Sequence, residues 1–158
     1  MKHIKRESEI EVSFCTEEYI PFKVVLNRNT EGIRNVGFQM GNKSLLEFAV
    51  GDESGIIHRV TLVSCENYAI IDDNLIIGDV EDGDIVVNEP DKVMCEYFTV
   101  HLYKNALAIL VSNDVLKKKV SLDDIVFGFS EQGAFSCLYC KISSKLVYDH
   151  IKSELGYL

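Results

Sequence analysis

Residues 45–65 run Leu45-Leu46-Glu47-Phe48-Ala49-Val50-Gly51-Asp52-Glu53-Ser54-Gly55-Ile56-Ile57-His58-Arg59-Val60-Thr61-Leu62-Val63-Ser64-Cys65. Val, Ile and Phe crowd both flanks, and the connection 51–55 is rich in turn formers. This arrangement predicts a β-hairpin with strands 45–50 and 56–65. A related pattern returns further on, where 125–129 lead through Ser130-Glu131-Gln132-Gly133 into 134–142. In the first hairpin Phe48 and Val50 precede Gly55, and Ile57 and Val60 follow it. In the second, Phe127 and Phe129 precede Gly133, and Phe135 and Leu138 follow at the same two spacings from the glycine. The shared spacing suggests a weak internal repeat, although alternation and a turn are common to all hairpins.

Further β signals surround these two. A third hairpin reads 97–103, Lys104-Asn105, 106–112, with Asn105 expected to take the positive φ that a two-residue loop demands. Ile10, Val12 and Phe14 alternate with polar residues, the mark of a half-buried strand. Pro21 confines 20–26 to a strand that starts at or just after it. Gly32, Gly37 and Gly41 interrupt 33–40, a weaker strand signal. One helix is expected at the C-terminus, capped by Ser143 or Ser144 and stopped by Gly156. Its apolar stripe would be Leu146, Val147, His150, Ile151 and Leu155. Ser121-Leu122-Asp123-Asp124 reads as a short helical turn. The expected class is mainly β (α+β): an antiparallel two-sheet sandwich, or one strongly curved sheet, with a C-terminal helix. No linker composition divides 1–158, so a single β-rich domain is expected, with about 1–90 and 91–158 as similar halves if the repeat is a duplication.

The chain has 158 residues, 47% of them apolar and 26% charged, which fits a globular domain with a sizeable core. No apolar run approaches the roughly 20 residues of a membrane-spanning helix. Sixteen Lys and Arg against 25 Asp and Glu give a formal charge of −9. That balance argues against direct nucleic-acid binding, which depends on clustered bases. Positive charge at Lys2, Lys5 and Arg6 is followed by no apolar stretch of signal-peptide type, so a cytoplasmic location is expected. Five cysteines, Cys15, Cys65, Cys95, Cys137 and Cys140, form an odd set, which favours reduced, buried thiols over a disulfide framework.

The acidity is concentrated. Residues 47–96 hold 13 Asp and Glu against two bases, Arg59 and Lys92, and no Lys or Arg appears from 66 to 91. Short apolar runs must turn inward there, so the acids should point outward from loops. Crowded carboxylates repel one another unless a partner or counter-ions relieve them. The expected contact residues for a basic partner are therefore Asp72, Asp73, Asp79, Glu81, Asp82, Asp84, Glu89 and Asp91. A merely solubilising acidic rim is the competing reading. Calcium binding fails on register: counting from Asp79 as position one places Gly83 at five and Asp84 at six, where the loop requires an oxygen ligand and then glycine. No metal or other cofactor is expected.

The sequence carries no catalytic signature. His3, His58, His101 and His150 lack metal-ligand spacing, and there is no nucleophile elbow, phosphate loop or dinucleotide fingerprint. Cys137 and Cys140 form a C-x-x-C within a strand, where residues three apart point to opposite faces, so a redox or zinc role is not expected. A non-enzyme is the preferred expectation. An enzyme using His58 or His101 with a neighbouring carboxylate, and a ligand-binding or adaptor β-domain, remain as alternatives.

The stretch 46–63, from Leu46-Glu47-Phe48 to Thr61-Leu62-Val63, in a small acidic β-rich chain without a catalytic motif, resembles the immunity proteins of bacterial toxin systems, in particular those of contact-dependent growth inhibition. The resemblance implies a one-to-one inhibitor of a cognate toxin's C-terminal domain, commonly a nuclease. Nuclease clefts are basic, and an acidic face can occupy one as a mimic of the phosphate backbone.

Overall fold

The computed structural model describes residues 1–157. In chain order its strands are β1 (Lys2–Ile4), β2 (Glu11–Phe14), β3 (Phe22–Asn27), β4 (Ile33–Met40), β5 (Ser44–Gly51), β6 (Ile57–Ser64), β7 (Tyr68–Ile70) and β8 (Glu81–Asp82). They continue as β9 (Asp84–Val86), β10 (Lys92–Met94), β11 (Thr99–Leu102), β12 (Ala106–Leu110), β13 (Leu116–Leu122), β14 (Ile125–Ser130) and β15 (Phe135–Lys141), followed by helix α1 (Lys145–Tyr157). The fold is mainly β, a two-sheet, sandwich-like α+β arrangement with the helix at its C-terminal end.

The first sheet has the order β10-β4-β5-β6-β3-β2, and the second β7-β11-β12-β15-β14-β13-β8; β1 and β9 form a separate ribbon. Each sheet contains the same five-strand block. In the first it is β4-β5-β6-β3-β2, in the second β13-β14-β15-β12-β11, and every neighbouring pair inside the blocks is antiparallel. Each block is extended beyond its first strand by a short parallel one, β10 on β4 and β8 on β13.

The likeness reaches the register. Phe48 faces Val60, and after a bulge Val50 faces Ile57; Phe127 faces Leu138, and after a bulge Phe129 faces Phe135. Gly55 and Gly133 close the two turns at φ 72° and 80°, a region that glycine enters without steric cost. The glycine-centred spacing in the sequence is thus one bulged hairpin placed once in each sheet.

These hairpins also make the core. Phe48 lies 5.7 Å from the ring of Phe135 and 6.3 Å from that of Phe127, while Phe38 on β4 reaches Phe48 at 5.8 Å and Phe135 at 5.1 Å. Most of these contacts are edge-to-face, the geometry that ring quadrupoles favour. Strand β4 runs its full eight residues despite its glycines. At Gly37 a Cβ would meet Leu45 Cδ1 at 2.9 Å, so glycine there permits close approach and does not break the strand.

Three local expectations are corrected. Residues 121–124 are no helical turn: Leu122 pairs with Ile125, and Asp123 at φ 53° makes the bend of the β13–β14 hairpin, since a short Asp side chain tolerates the left-handed region. Asn105 is not among the residues of positive φ, although the β11–β12 hairpin forms as expected and Tyr103 N–H donates to the Ala106 carbonyl at 2.8 Å. In α1, Ser144 caps, its Oγ accepting from Val147 N–H at 3.4 Å, but Leu146 is 73% exposed and helix continues through Gly156. Ile151 and Leu155 are buried as the stripe demanded. His150 Nε2 donates to the Ile20 carbonyl at 2.9 Å and Glu154 accepts from Tyr19 N–H at 3.0 Å, so the helix is tied to the turn between β2 and β3.

Candidate functional site

The base-free acidic stretch forms a belt. Leaving β6, the chain joins one edge of the second sheet as β7, crosses to the opposite edge as β8, pairs with β1 as β9, and joins the edge of the first sheet as β10. Short pairings of two or three residues attach it, so side chains carry much of its anchoring. Asn105, in the β11–β12 turn, grips it like a strand: Leu75 N–H donates to Oδ1 at 2.7 Å, and Nδ2 donates to the Leu75 carbonyl at 3.0 Å. Lys119 donates to the Ile77 carbonyl.

Most of the belt's acids meet bases from elsewhere in the chain. Asp72 pairs with Lys104 at 3.1 Å, Glu81 with Lys118 at 3.3 Å and His3 at 3.7 Å, Asp82 with Arg6 at 2.6 Å, and Asp91 with Arg34 at 3.3 Å. Arg6 also pairs with Asp123 at 2.8 Å, and that hydrogen bond heads the causes that raise its pKa above the ordinary value. Glu89 is mostly covered and meets the Met1 amino group. The segregation of charge along the sequence is therefore in good part complementarity within the fold.

Asp84 corrects the expectation that these acids all face outward. It is buried, and Arg28 holds both its oxygens, at 2.7 and 2.9 Å. A forked guanidinium on a carboxylate is the strongest form of such a contact. Asp84 is consequently no part of a surface, and Glu89 contributes little to one. Asp72, Asp73, Asp79, Glu81, Asp82 and Asp91 are exposed. Beside them the belt displays apolar side chains from the short runs expected to turn inward, Ile76 at 90% exposed and Ile70 and Val80 at 40% each, and Tyr68 is 40% exposed as well.

A second constellation surrounds Glu31, in the loop between β3 and β4. Ser54 Oγ donates to its carboxylate at 2.9 Å and His58 Nε2 to Oε2 at 3.0 Å. These bonds, with the His58 bond the largest cause, hold the Glu31 pKa below its ordinary value near 4.5. The serine proton points at the carboxylate, so the imidazole is not placed as the base of Ser54. Ser54 Oγ also accepts from Ile56 N–H at 3.2 Å, and the network thereby fastens the β5–β6 turn to the neighbouring loop. Glu31 lines a cavity of about 530 Å³ between the 4–10 segment and the 27–31 loop, together with Arg28, Asp84, Lys5, Glu7 and Glu9. His101 stands elsewhere, ring to ring with Tyr103 at 6.2 Å.

The sign of the Glu31 contribution follows from its lowered pKa. Stability from the charged carboxylate is present above the ordinary glutamate value and is lost as pH falls through it into the lower native range. Glu31→Gln should therefore lose less stability than the unmodified chain between about pH 6 and pH 3. Urea midpoints measured at both pH values for the two proteins check this, and parallel losses would show that Glu31 is not so held.

The cysteines are free thiols. Cys140 belongs to the core, and burial raises its pKa; Cys137, with Tyr139, lies on the other face of β15. Burial likewise raises Cys65 to about 11. None of these is poised as a thiolate. Among the described residues no group of three or more His, Cys, Asp or Glu is arranged to hold a metal ion, and no helix is long and apolar enough to cross a membrane. In comparisons with known proteins, no family model and no curated protein matches the chain.

Proposed function

We propose that the protein is a non-catalytic inhibitor of the immunity type, acting in the cytoplasm by binding the basic C-terminal catalytic domain of a cognate bacterial toxin, a nuclease. The observation that carries this reading is the composition of the exposed belt between 68 and 80. There Tyr68 and Ile70 stand in solvent close to Asp72 and Asp73 at the β7 edge, and Ile76 and Val80 stand in solvent on either side of Asp79 where the belt crosses toward β8. Exposed apolar side chains flanked by charge, as at the β7 edge, are the usual makings of a protein interface. The acids accelerate encounter with a basic cleft, and the apolar residues, once buried, set the lifetime of the complex. The pair Asp72–Lys104 does not oppose this, because both groups are largely exposed and such pairs contribute little. A partner's lysine or arginine can take the place of Lys104. The ligand-binding alternative has less support, since the cavity beside Glu31 is lined largely by charged groups where a small-molecule site is mostly apolar.

The decisive experiment is to read the frame immediately upstream and, where it encodes a secreted protein with a variable C-terminal domain, to co-express that domain with this chain. Growth should be restored by this chain. Toxicity that persists, or an upstream frame that encodes no such protein, refutes the reading. With that domain in hand, the triple variant Asp72→Lys, Asp73→Lys, Asp79→Lys is expected to slow association about tenfold or more at low salt. The deficit should shrink as ionic strength rises, because a shorter Debye length hides the change. Stopped-flow association rates check it, and unchanged rates would remove the acidic belt from the encounter.

A further inference from the structure

The four edges of the two large sheets are unequal in how they are defended. Edge strand β2 presents Glu11 and Ser13 to solvent, with Glu9 just before it. Strand β10 begins with Lys92 directly after Pro90 and Asp91. Strand β8 is two residues long, both acids, and these pair with Arg6 and Lys118. Charges, proline and shortness are the devices by which proteins prevent an edge from recruiting another strand. Strand β7 has neither charge nor proline: it reads Tyr68-Ala69-Ile70, and all three residues are exposed.

The ladder on β7 also reaches one residue beyond Tyr68–Ile70 at each end. Val100 N–H donates to the Asn67 carbonyl at 3.0 Å and Ile71 N–H to the Leu102 carbonyl at 2.8 Å, so 67–71 run along β11. In a parallel pair, alternate residues bond the neighbour. Asn67, Ala69 and Ile71 do so, which turns the N–H and C=O of Tyr68 and Ile70 toward the open side. Tyr68 is registered with Val100 and Ile70 with Leu102, both core residues, so their side chains lie on the face of the sheet that carries the core. At its two ends this apolar edge is framed by Glu66 and by Asp72 and Asp73.

We propose that the partner binds by adding a β-strand to β7, a strand with apolar side chains beside Tyr68 and Ile70 and lysine or arginine reaching Glu66, Asp72 and Asp73. The inference rests on the inhibitor reading above and names how that partner is held. Main-chain bonds to Tyr68 and Ile70 fix the register, apolar side chains extend the face formed by Val100 and Leu102, and the flanking acids select a basic sequence. A second copy of this chain is disfavoured as the occupant, because pairing β7 with β7 would bring two sets of these acids together.

The test uses the full chain and a short fluorescent peptide alternating lysine and valine. Titration by anisotropy should give saturable binding, and amide exchange followed by NMR should show new protection at Tyr68 and Ile70. N-methylation of alternate peptide amides should weaken binding about tenfold or more while leaving every charge in place. Ile70→Pro, which removes one outward N–H without touching the bonds to β11, should weaken the unmethylated peptide in the same direction; the methylated peptide supplies the same information if that variant fails to fold. Equal binding of the methylated peptide, protection at another edge, or self-association through β7 in place of peptide binding would each overturn strand addition. Growth rescue by co-expression reports separately on the inhibitor reading, so the failure of one is distinguishable from the failure of the other.

Discussion

Replacing Phe48 by alanine should lower the free energy of unfolding by about 3–5 kcal/mol, among the larger losses a single core truncation can produce. Its ring is fully buried on β5, an interior strand of the first sheet, and is registered with Val36 and Val60 on either side. Across the interior it touches Phe127 and Phe135 of the opposite sheet, and within its own sheet Phe38. The substitution therefore removes the transfer free energy of one ring and several ring pairs, each worth about 0.5–1.5 kcal/mol beyond the buried area. Interior strands paired on both sides cannot move in to fill the space, so a cavity term adds to the transfer term. Phe14→Ala provides the contrast. Phe14 is half-buried on edge strand β2, where the chain can relax, and the loss there should be less than half as large. Urea denaturation of the two variants measures both. A Phe48→Ala loss below about 1 kcal/mol, in the range of ordinary surface changes, would mean that the two hairpins are not packed against each other as described.

Those hairpins were legible because their determinants are local. Alternation at Phe48 and Val50, a glycine able to take positive φ, and apolar positions at fixed distances beyond it lie within one short window of sequence. Hence strand content, all three expected hairpins and the C-terminal helix could be read directly. What escaped reading was set by contacts distant along the chain or by local ambiguity. Arg28 meets Asp84 across 56 residues and Arg6 meets Asp123 across 117, and no local pattern marks either pair. The acids of the belt consequently looked unpartnered when most are partnered. Ile70 and Ile76 looked like interior residues because a short apolar run gives no sign of which face of the fold it will reach. Asp123-Asp124 after Leu122 is ambiguous in another way, since Asp suits both the start of a helix and a tight left-handed bend. Leu146 kept to the helical period and is nonetheless exposed, because α1 buries a narrower stripe around Ile151 and Leu155.

The largest effect expected within the belt itself is at Asp84, which sequence reasoning had placed on the surface. Asp84→Ala should cost about 3–5 kcal/mol, because it leaves the Arg28 charge buried without its partner. Arg28 is 12% exposed and Asp84 6%, and Arg28 Nε has no hydrogen-bond partner. The two bonds to Asp84 are thus what compensates the desolvation of the guanidinium. The cost arises from the orphaned charge and not from the pair as such, which yields a second, sharper expectation. The double variant Arg28→Met, Asp84→Leu should recover most of the loss, since apolar side chains of similar volume avoid the desolvation of both ions. Denaturation at pH 7 distinguishes the outcomes. If the double variant is as unstable as the single one, the pair stabilises the belt by attraction beyond its own desolvation, and the complementarity between belt and sheets is stronger than inferred. If neither variant loses more than about 1 kcal/mol, the belt is not fastened at this point at all. Added salt should separate this pair from the exposed ones, because screening reaches Asp72–Lys104 in solvent and scarcely reaches the buried Arg28–Asp84 pair.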